Sequence, residues 1–221
     1  MSLTQILAAL RAKYAFLRPE IIRTMERHIE ELRTSGALDK VRKAGDPAPQ
    51  FTLESANGTT VSSAELLRKG PLVVSFYRGK WCPYCNAEVD ALARAYPEIK
   101  ALGAELVVLS PELAEYSKAM SDERKVPFDI LVDRHNAVAE EFGVGYVFPE
   151  YLRELYSNVL GNKLEKFNGD ETYKLPIPSR FIIDQQGVIR HAYADPDYRF
   201  RAEPSETIDA LRGLAVAPTA Q

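Results

Sequence analysis

From residue 44 onward the sequence predicts an α/β fold, with a mostly parallel central sheet flanked by helices. Three observations carry that prediction. The apolar runs Leu72 to Tyr77, Glu105 to Ser110 and Ile130 to Asp133 are each a strand's length. They are separated by stretches with helical spacing, the rhythm of parallel strands joined by crossover helices. A later pair of runs, Arg180 to Asp184 and Val188 to Tyr193, flanks Gln185-Gln186-Gly187 and reads as a hairpin.

Residues 1–43 read as a helical extension. Leu7, Leu10, Tyr14 and Leu17, then Ile22, Met25, Ile29 and Leu32, recur near helical spacing, with Pro19 between the two runs. The extension is locally basic through Arg11, Lys13, Arg18, Arg23, Arg27 and Arg33. Interleaved Glu20, Glu26, Glu30 and Glu31 make this a solvated helix face rather than a nucleic-acid patch. Gly45-Asp46-Pro47-Ala48-Pro49 breaks the helical pattern, and a second unit is expected over 44–215. Its first feature is a hairpin about Asn57-Gly58, a dipeptide that tolerates positive φ. Helices are predicted over Pro83 to Tyr96, about 112–124, Ala137 to Phe142 and Ser205 to Leu214. An irregular, aromatic-rich insertion is expected at about 145–177, carrying Tyr146, Phe148, Tyr151, Tyr156, Phe167 and Tyr173. Ala215 to Gln221 reads as a loose tail.

Composition excludes several classes of function. An apolar fraction of 46% over 221 residues can bury a sizeable core. With 28 basic and 31 acidic side chains the net charge is -3, so no single-sign field favours nucleic acid or an anionic membrane. The short apolar patch near the start is broken at Arg11 and Lys13, unlike a secretory signal. No stretch nears the roughly 18 to 20 apolar residues of a membrane span. The expectation is a soluble, cytoplasmic protein.

The chemistry concentrates in Trp81-Cys82-Pro83-Tyr84-Cys85. These are the only two cysteines, three positions apart, too close to staple distant parts of a fold. Cys82 falls in the turn after the predicted strand and Cys85 in the first turn of the following helix. Unpaired N–H groups and the helix dipole there favour an anion and lower a thiol pKa. The spacing lets one thiolate attack and the other release the mixed intermediate. Pro83 sets the first helical turn, and Lys80 adds positive charge nearby. A zinc site is disfavoured, because no second cysteine pair exists and His28, His135 and His191 are scattered without ligand spacing. No cofactor or metal is expected.

Gly45-Asp46-Pro47-Ala48-Pro49-Gln50-Phe51-Thr52-Leu53, the strand Val73-Val74-Ser75-Phe76-Tyr77 and the cysteine segment together resemble the peroxiredoxin (alkyl hydroperoxide reductase and thiol-specific antioxidant) family. Phe181-Ile182-Ile183-Asp184 with Gly187-Val188-Ile189 is similar to its later strand pair. The resemblance covers roughly 43–195 and implies a thioredoxin-like fold with a central mixed sheet. Its pattern puts Cys85 on the peroxide-attacking position and Cys82 where the family carries threonine. Arg78 replaces an expected proline, and Pro178 stands where an arginine is expected, with Arg180 nearby. The same turn resembles thioredoxins and glutaredoxins, which implies Cys82 as the attacking thiolate, Cys85 as resolver and a cis Pro178 beside them.

The resemblance implies a thiol-dependent peroxidase in which Cys82 and Cys85 cycle between dithiol and disulfide, with Arg78, Lys80 or Arg180 steadying the leaving oxygen. A thioredoxin- or glutaredoxin-like disulfide reductase is the alternative. A redox-switched binding protein, meeting its partner through the aromatic segment and the first helices, is a second. Expected partners are a peroxide or disulfide substrate and a thiol donor such as thioredoxin, glutaredoxin or glutathione. A homodimer through the N-terminal helices is also expected.

Overall fold

The computed structural model describes residues 1–15 and 18–216. Leu17 and the tail residues 217–221, both read from the sequence above, lie outside the described residues. In chain order the elements are α1 (Leu3–Tyr14), α2 (Pro19–Thr34), β1 (Thr52–Glu54), β2 (Thr60–Ser62), α3 (Ser63–Lys69), β3 (Leu72–Phe76) and α4 (Pro83–Ala101). There follow β4 (Glu105–Ser110), α5 (Ala114–Arg124), β5 (Asp129–Val132), α6 (Ala137–Glu141), β6 (Gly145–Val147), α7 (Glu150–Glu154) and α8 (Leu164–Asn168). The chain ends with β7 (Lys174–Pro176), β8 (Ser179–Ile183), β9 (Ile189–Ala194) and α9 (Pro204–Val216).

The central sheet has the order β5-β4-β3-β8-β9. Strands β3, β4 and β5 are parallel, joined by crossovers through α4 and α5 as the alternation predicts. The rest departs from a mostly parallel sheet, because β8 runs antiparallel to both β3 and β9. The chain reaches β8 from the insertion at the carboxyl end of β3, where Ser179 pairs with Phe76, and so runs back along β3 without a crossover. The result is the mixed sheet that the resemblance implies.

Alternate residues of β3 feed opposite faces of the sheet. On one face Val73 packs with Val89 and Leu92 of α4, Ile208 and Leu211 of α9, and Leu3 and Leu7 of α1. On the other, Leu72, Val74 and Phe76 join Leu109, Phe142 and Phe181. The aromatic-rich insertion is not irregular. It is a β6–β7 hairpin with α7, a π-helical turn Leu155–Val159 and α8, closed on Phe148, Leu152, Tyr156, Leu164 and Leu175. Helices of five residues are too short to show a helical repeat, which is why the sequence pattern misses them.

The first helix is fastened at its N-terminal end. Ser2 and Gln5 form a capping box, and the Glu203 carboxylate accepts from the N–H groups of Leu3 (3.1 Å) and Thr4 (2.6 Å) at the start of α9. Leu3 and Leu7 then lie buried against α4. Leu7→Asp puts a charge into that contact and is expected to loosen α1 from α4. The expected result is faster labelling of Cys82 by a bulky maleimide, with little change for the compact reagent iodoacetamide. Equal acceleration of both reagents would mean general unfolding instead.

Candidate active site at the Cys82–Cys85 turn

Strand β3 delivers the chain into a tight loop, Tyr77 to Trp81, from which α4 departs. Gly79 sits at φ 146°, and a Cβ there would run into the Trp81 indole nitrogen and the Glu112 carboxyl group. Glu112 follows β4, the parallel neighbour of β3, so the loops after both strands meet at the carboxyl ends of these two interior strands. There its Oε2 accepts the Lys80 N–H at 2.8 Å. Asn86 Nδ2 donates to the Lys80 carbonyl at 2.9 Å, and the Cys82 N–H donates to the Gly79 carbonyl at 3.1 Å. Cys82 is thereby fixed as the N-cap of α4, Pro83 is its first residue, and Cys85 lies in its first turn.

Arginines surround the two sulfurs. Arg78 Nη2 donates to Cys82 Sγ at 3.1 Å, and Arg201 Nη2 to Cys85 Sγ at 3.4 Å. Burial works against a thiolate at Cys82, but the hydrogen bond with Cys85 and the charges of Arg78 and Arg201 outweigh it and hold the Cys82 pKa well below the ordinary thiol range. Cys85 goes the other way: burial, the hydrogen bond with Cys82 and the Cys82 charge push its thiol well up. Both directions favour the negative charge on Cys82 over Cys85.

Arg78 is caged by aromatic rings. Its guanidinium lies 3.9 Å from the Tyr198 ring centroid and 5.0 Å from that of Trp81. Trp81 meets Tyr156 edge-on at 5.7 Å, and Tyr84 meets Tyr198 edge-on at 5.5 Å. A buried cation with so few places to go stays aimed at the sulfur. Above this floor opens a cavity of about 460 Å³, reached past Tyr14 of α1, Met25 of α2, and Tyr156 and Leu160 of the insertion. Cys82 contributes to its lining and Cys85 does not.

The other residues singled out from the sequence divide into those brought to the site and those not. Trp81, Pro83, Tyr84 and Arg78 are there. Arg180 is buried close by but is not on a sulfur: it donates to Glu88 Oε1 at 2.6 Å and to Thr207 Oγ1 at 3.0 Å. Lys80 is turned away and pairs with Glu123 at 2.5 Å. Pro178 is trans, since among the described residues no peptide bond is cis. Residues 177 and 178 bridge β7 and β8, two extended segments, so the chain makes no reversal there and the ordinary preference for trans prevails. His28 is a packing residue against the rings of Tyr146 and Phe148, and burial lowers its pKa to about 4. Among the described residues no group of three or more His, Cys, Asp or Glu is placed to hold a metal.

Sequence reasoning misses Glu88, Glu112, Tyr198 and Arg201. Glu88 holds Arg180 and also accepts from Arg201 Nε at 2.6 Å. Arg201 is further anchored by the carbonyls of Tyr198 and Phe200. Glu88 stands three residues after Cys85, one helical turn on, which is a usable signal. Asp197, Tyr198, Arg199 and Arg201 crowd a short aperiodic stretch before α9, the kind of loop that carries function. Nothing in the local pattern marks Glu112, which only the pairing of β3 with β4 brings to the site.

The AhpC/TSA family profile matches residues 44–192. The chloroplastic peroxiredoxin Q of Sedum lineare is 31% identical over 185 residues, 83% of this chain and 84% of that protein. The chloroplastic peroxiredoxin Q of Triticum aestivum is 30% identical over 177 residues, 79% of this chain and 69% of that one. Among solved structures, peroxidoxin BcpB from Mycobacterium tuberculosis superposes with a TM-score of 0.61 at 22% identity, over 78% of this chain and 97% of its own. Peroxiredoxin 6 of Arenicola marina gives 0.63 at 17% identity, over 79% of this chain and 74% of its own, and both likenesses establish the thioredoxin-like fold. Helices α1, α2 and α9 and the stretch carrying Tyr198 and Arg201 lie outside the matched span.

Two outcomes follow from the charges. Arg78→Met is expected to move the Cys82 titration, followed by thiolate absorbance, back toward the ordinary thiol value of about 8.5. Burial raises the Glu112 pKa to about 8. An acid whose folded pKa lies above its unfolded one stabilises the fold fully below the unfolded value, and that contribution drains away as pH rises to the folded value. Wild-type stability should therefore fall between about pH 4.5 and about pH 8 by at most about 5 kcal/mol from this group. Urea unfolding of Glu112→Gln should lack that slope.

Proposed function

This chain belongs to the AhpC/TSA family, and from that premise we propose that Cys82 is the sulfur that attacks peroxide and Cys85 the one that resolves the product. The chain is a thiol-dependent peroxide reductase that works through a cysteine pair. The observation carrying the order of attack is Arg78 Nη2 at 3.1 Å from Cys82 Sγ, at the floor of a cavity that Cys82 lines. The family pattern assigns attack to the position of Cys85, but that thiol is fully buried, off the cavity, and held protonated. The guanidinium that the family pattern leads one to seek near Pro178 is supplied here by Arg78 at one sulfur and Arg201 at the other.

In the first step the Cys82 thiolate attacks one peroxide oxygen, the O–O bond breaks, and the leaving alkoxide or hydroxide takes a proton from water. Cys82 is left as a sulfenic acid. Arg78, already at the sulfur, donates to the charge that develops on the leaving oxygen. In the second step the Cys85 thiol attacks the sulfenic sulfur, its proton leaves with the hydroxyl group as water, and a Cys82–Cys85 disulfide forms. Two thiols from a donor then restore the dithiol. Such a cycle needs a reducing compartment, and the cytoplasmic reading stands as part of this proposal.

Protein disulfide reduction fits less well. Cys82 is 1% exposed beneath walls supplied by α1, α2 and the insertion, and a protein disulfide cannot reach its sulfur without moving them. The aromatic segment is taken up in its own core, which weighs against its serving as a partner-binding face.

The two cysteines are separated by single substitutions. Peroxide should convert Cys85→Ser to a stable sulfenic acid on Cys82, seen by mass spectrometry after dimedone trapping, at close to the wild-type rate. Cys82→Ser should react with peroxide at least about a hundredfold more slowly, because its remaining thiol is protonated and shielded. The reverse pattern would hand the attack to Cys85 and keep the peroxidase while discarding the order proposed.

A further inference from the structure

A cavity of about 460 Å³ is far larger than hydrogen peroxide needs, since a water molecule claims roughly 30 Å³ of liquid. It falls within the range of small-molecule pockets, roughly 300–1,000 Å³. Its walls are aromatic and apolar, while its rim carries charges of both signs. Arg11 lies over the Phe200 ring at 4.4 Å; its charge helps to hold the Asp197 pKa down, but among the described residues no carboxylate comes within 4.0 Å of it. Glu26 is 54% exposed and, among the described residues, pairs only with Arg199, at 3.7 Å. Arg199 is itself committed to Asp197, through bonds of 2.7 and 2.8 Å.

After oxidation a donor sulfur must reach Cys82 at the bottom of this cavity. A redox protein presents its sulfur on a convex surface, and α1, α2 and the insertion stand in its way. Building on the peroxidase reading above, we propose that the cavity binds the reductant, and that this reductant is a small zwitterionic thiol. Its carboxylate sits on Arg11, its ammonium on Glu26, and its body against the aromatic walls. The thiolate of the first molecule attacks Cys82 Sγ, the Cys82–Cys85 bond breaks, and Cys85 leaves and takes a proton. A second molecule attacks the mixed disulfide, releasing the oxidised small thiol and restoring Cys82. Electrons and atoms balance: two thiols are oxidised to one disulfide as the protein disulfide is reduced. Arg201, at 3.4 Å from Cys85 Sγ, stabilises the sulfur that departs in the first of these steps.

The test starts from full-length protein oxidised with diamide rather than peroxide, so that it does not depend on peroxidase activity. Reduction is followed by the fluorescence of Trp81, the only tryptophan. Glutathione, mercaptopropionate, mercaptoethanol and reduced thioredoxin are compared. Glutathione is expected to saturate and to outpace mercaptoethanol at equal thiolate concentration, with thioredoxin slow. Arg11→Glu should lower the rate with glutathione roughly tenfold relative to mercaptoethanol, because attraction becomes repulsion. Glu26→Gln should slow glutathione but not mercaptopropionate, which has no ammonium. Lys43→Gln, an exposed change off the cavity, should alter none of these ratios. Unsaturable reduction by glutathione, an unchanged ratio in Arg11→Glu, or faster reduction by micromolar thioredoxin would each overturn the proposal. Failure of peroxide, unlike diamide, to form the disulfide would instead overturn the peroxidase reading and leave this test standing.

Discussion

The site is organised by a shortage of negative charge. Three guanidinium groups, Arg78, Arg180 and Arg201, are buried together. The carboxylate that two of them share is Glu88, bonded to Arg180 and Arg201 at 2.6 Å each. Glu112, another buried acid nearby, is mostly protonated at neutral pH because burial raises its pKa to about 8, and the buried Asp197 is taken up by Arg199. Leaving a charge unpaired in a protein interior is costly, and the interior answers by ionising whatever group can respond. Of the groups in contact with Arg78, the one that ionises most readily is the Cys82 thiol. Its ionisation is therefore a consequence of how the surrounding arginines are buried, more than of its place at a helix terminus.

Other parts of the structure serve to keep that arrangement. Aromatic rings cap Arg78 because a cation can be held against the face of a ring where water is absent. Gly79, strained for any other residue, lets the loop pass under Trp81 and over Glu112. The anchoring of α1 through Glu203 and of Arg201 through Glu88 ties both ends of the chain to α4. The helices that begin and end the sequence are thus part of the site although they lie outside the span matched by the family profile.

How far the sequence reveals this depends on the range of the interactions. Strands β3 to β5, helix α4 and the β8–β9 hairpin are legible because each is a local period of apolar residues. Cys82, Cys85, Trp81 and Pro83 are legible because their spacing is itself the chemistry. Arg78 is visible as a departure, an arginine where the family pattern has proline. Arg201 and Tyr198 are not, because their roles arise from a loop folding back across more than a hundred residues onto α4. Arg180 draws attention by lying close to an expected arginine position. A difference of two residues in an extended segment keeps a side chain on the same face, yet shifts it along the strand. The structure places it on Glu88 rather than on a sulfur.

The charge shortage also bears on the second half of the cycle. In the proposed cycle Cys82 becomes a sulfenic acid or joins Cys85, and its negative charge is then gone while the three arginines remain; among the described residues Glu88 is the one carboxylate bonded to any of them. The oxidised site is thus destabilised relative to the dithiol, in which the thiolate offsets Arg78. A disulfide whose reduced form is preferentially stabilised is a strong oxidant and is readily reduced. Such a disulfide does not require a strongly reducing protein dithiol to open it. If Cys82 attacks peroxide as proposed, the same buried charges that activate it make a weaker, smaller thiol sufficient to reset it. That is the kind of donor a cavity walled by α1, α2 and the insertion admits.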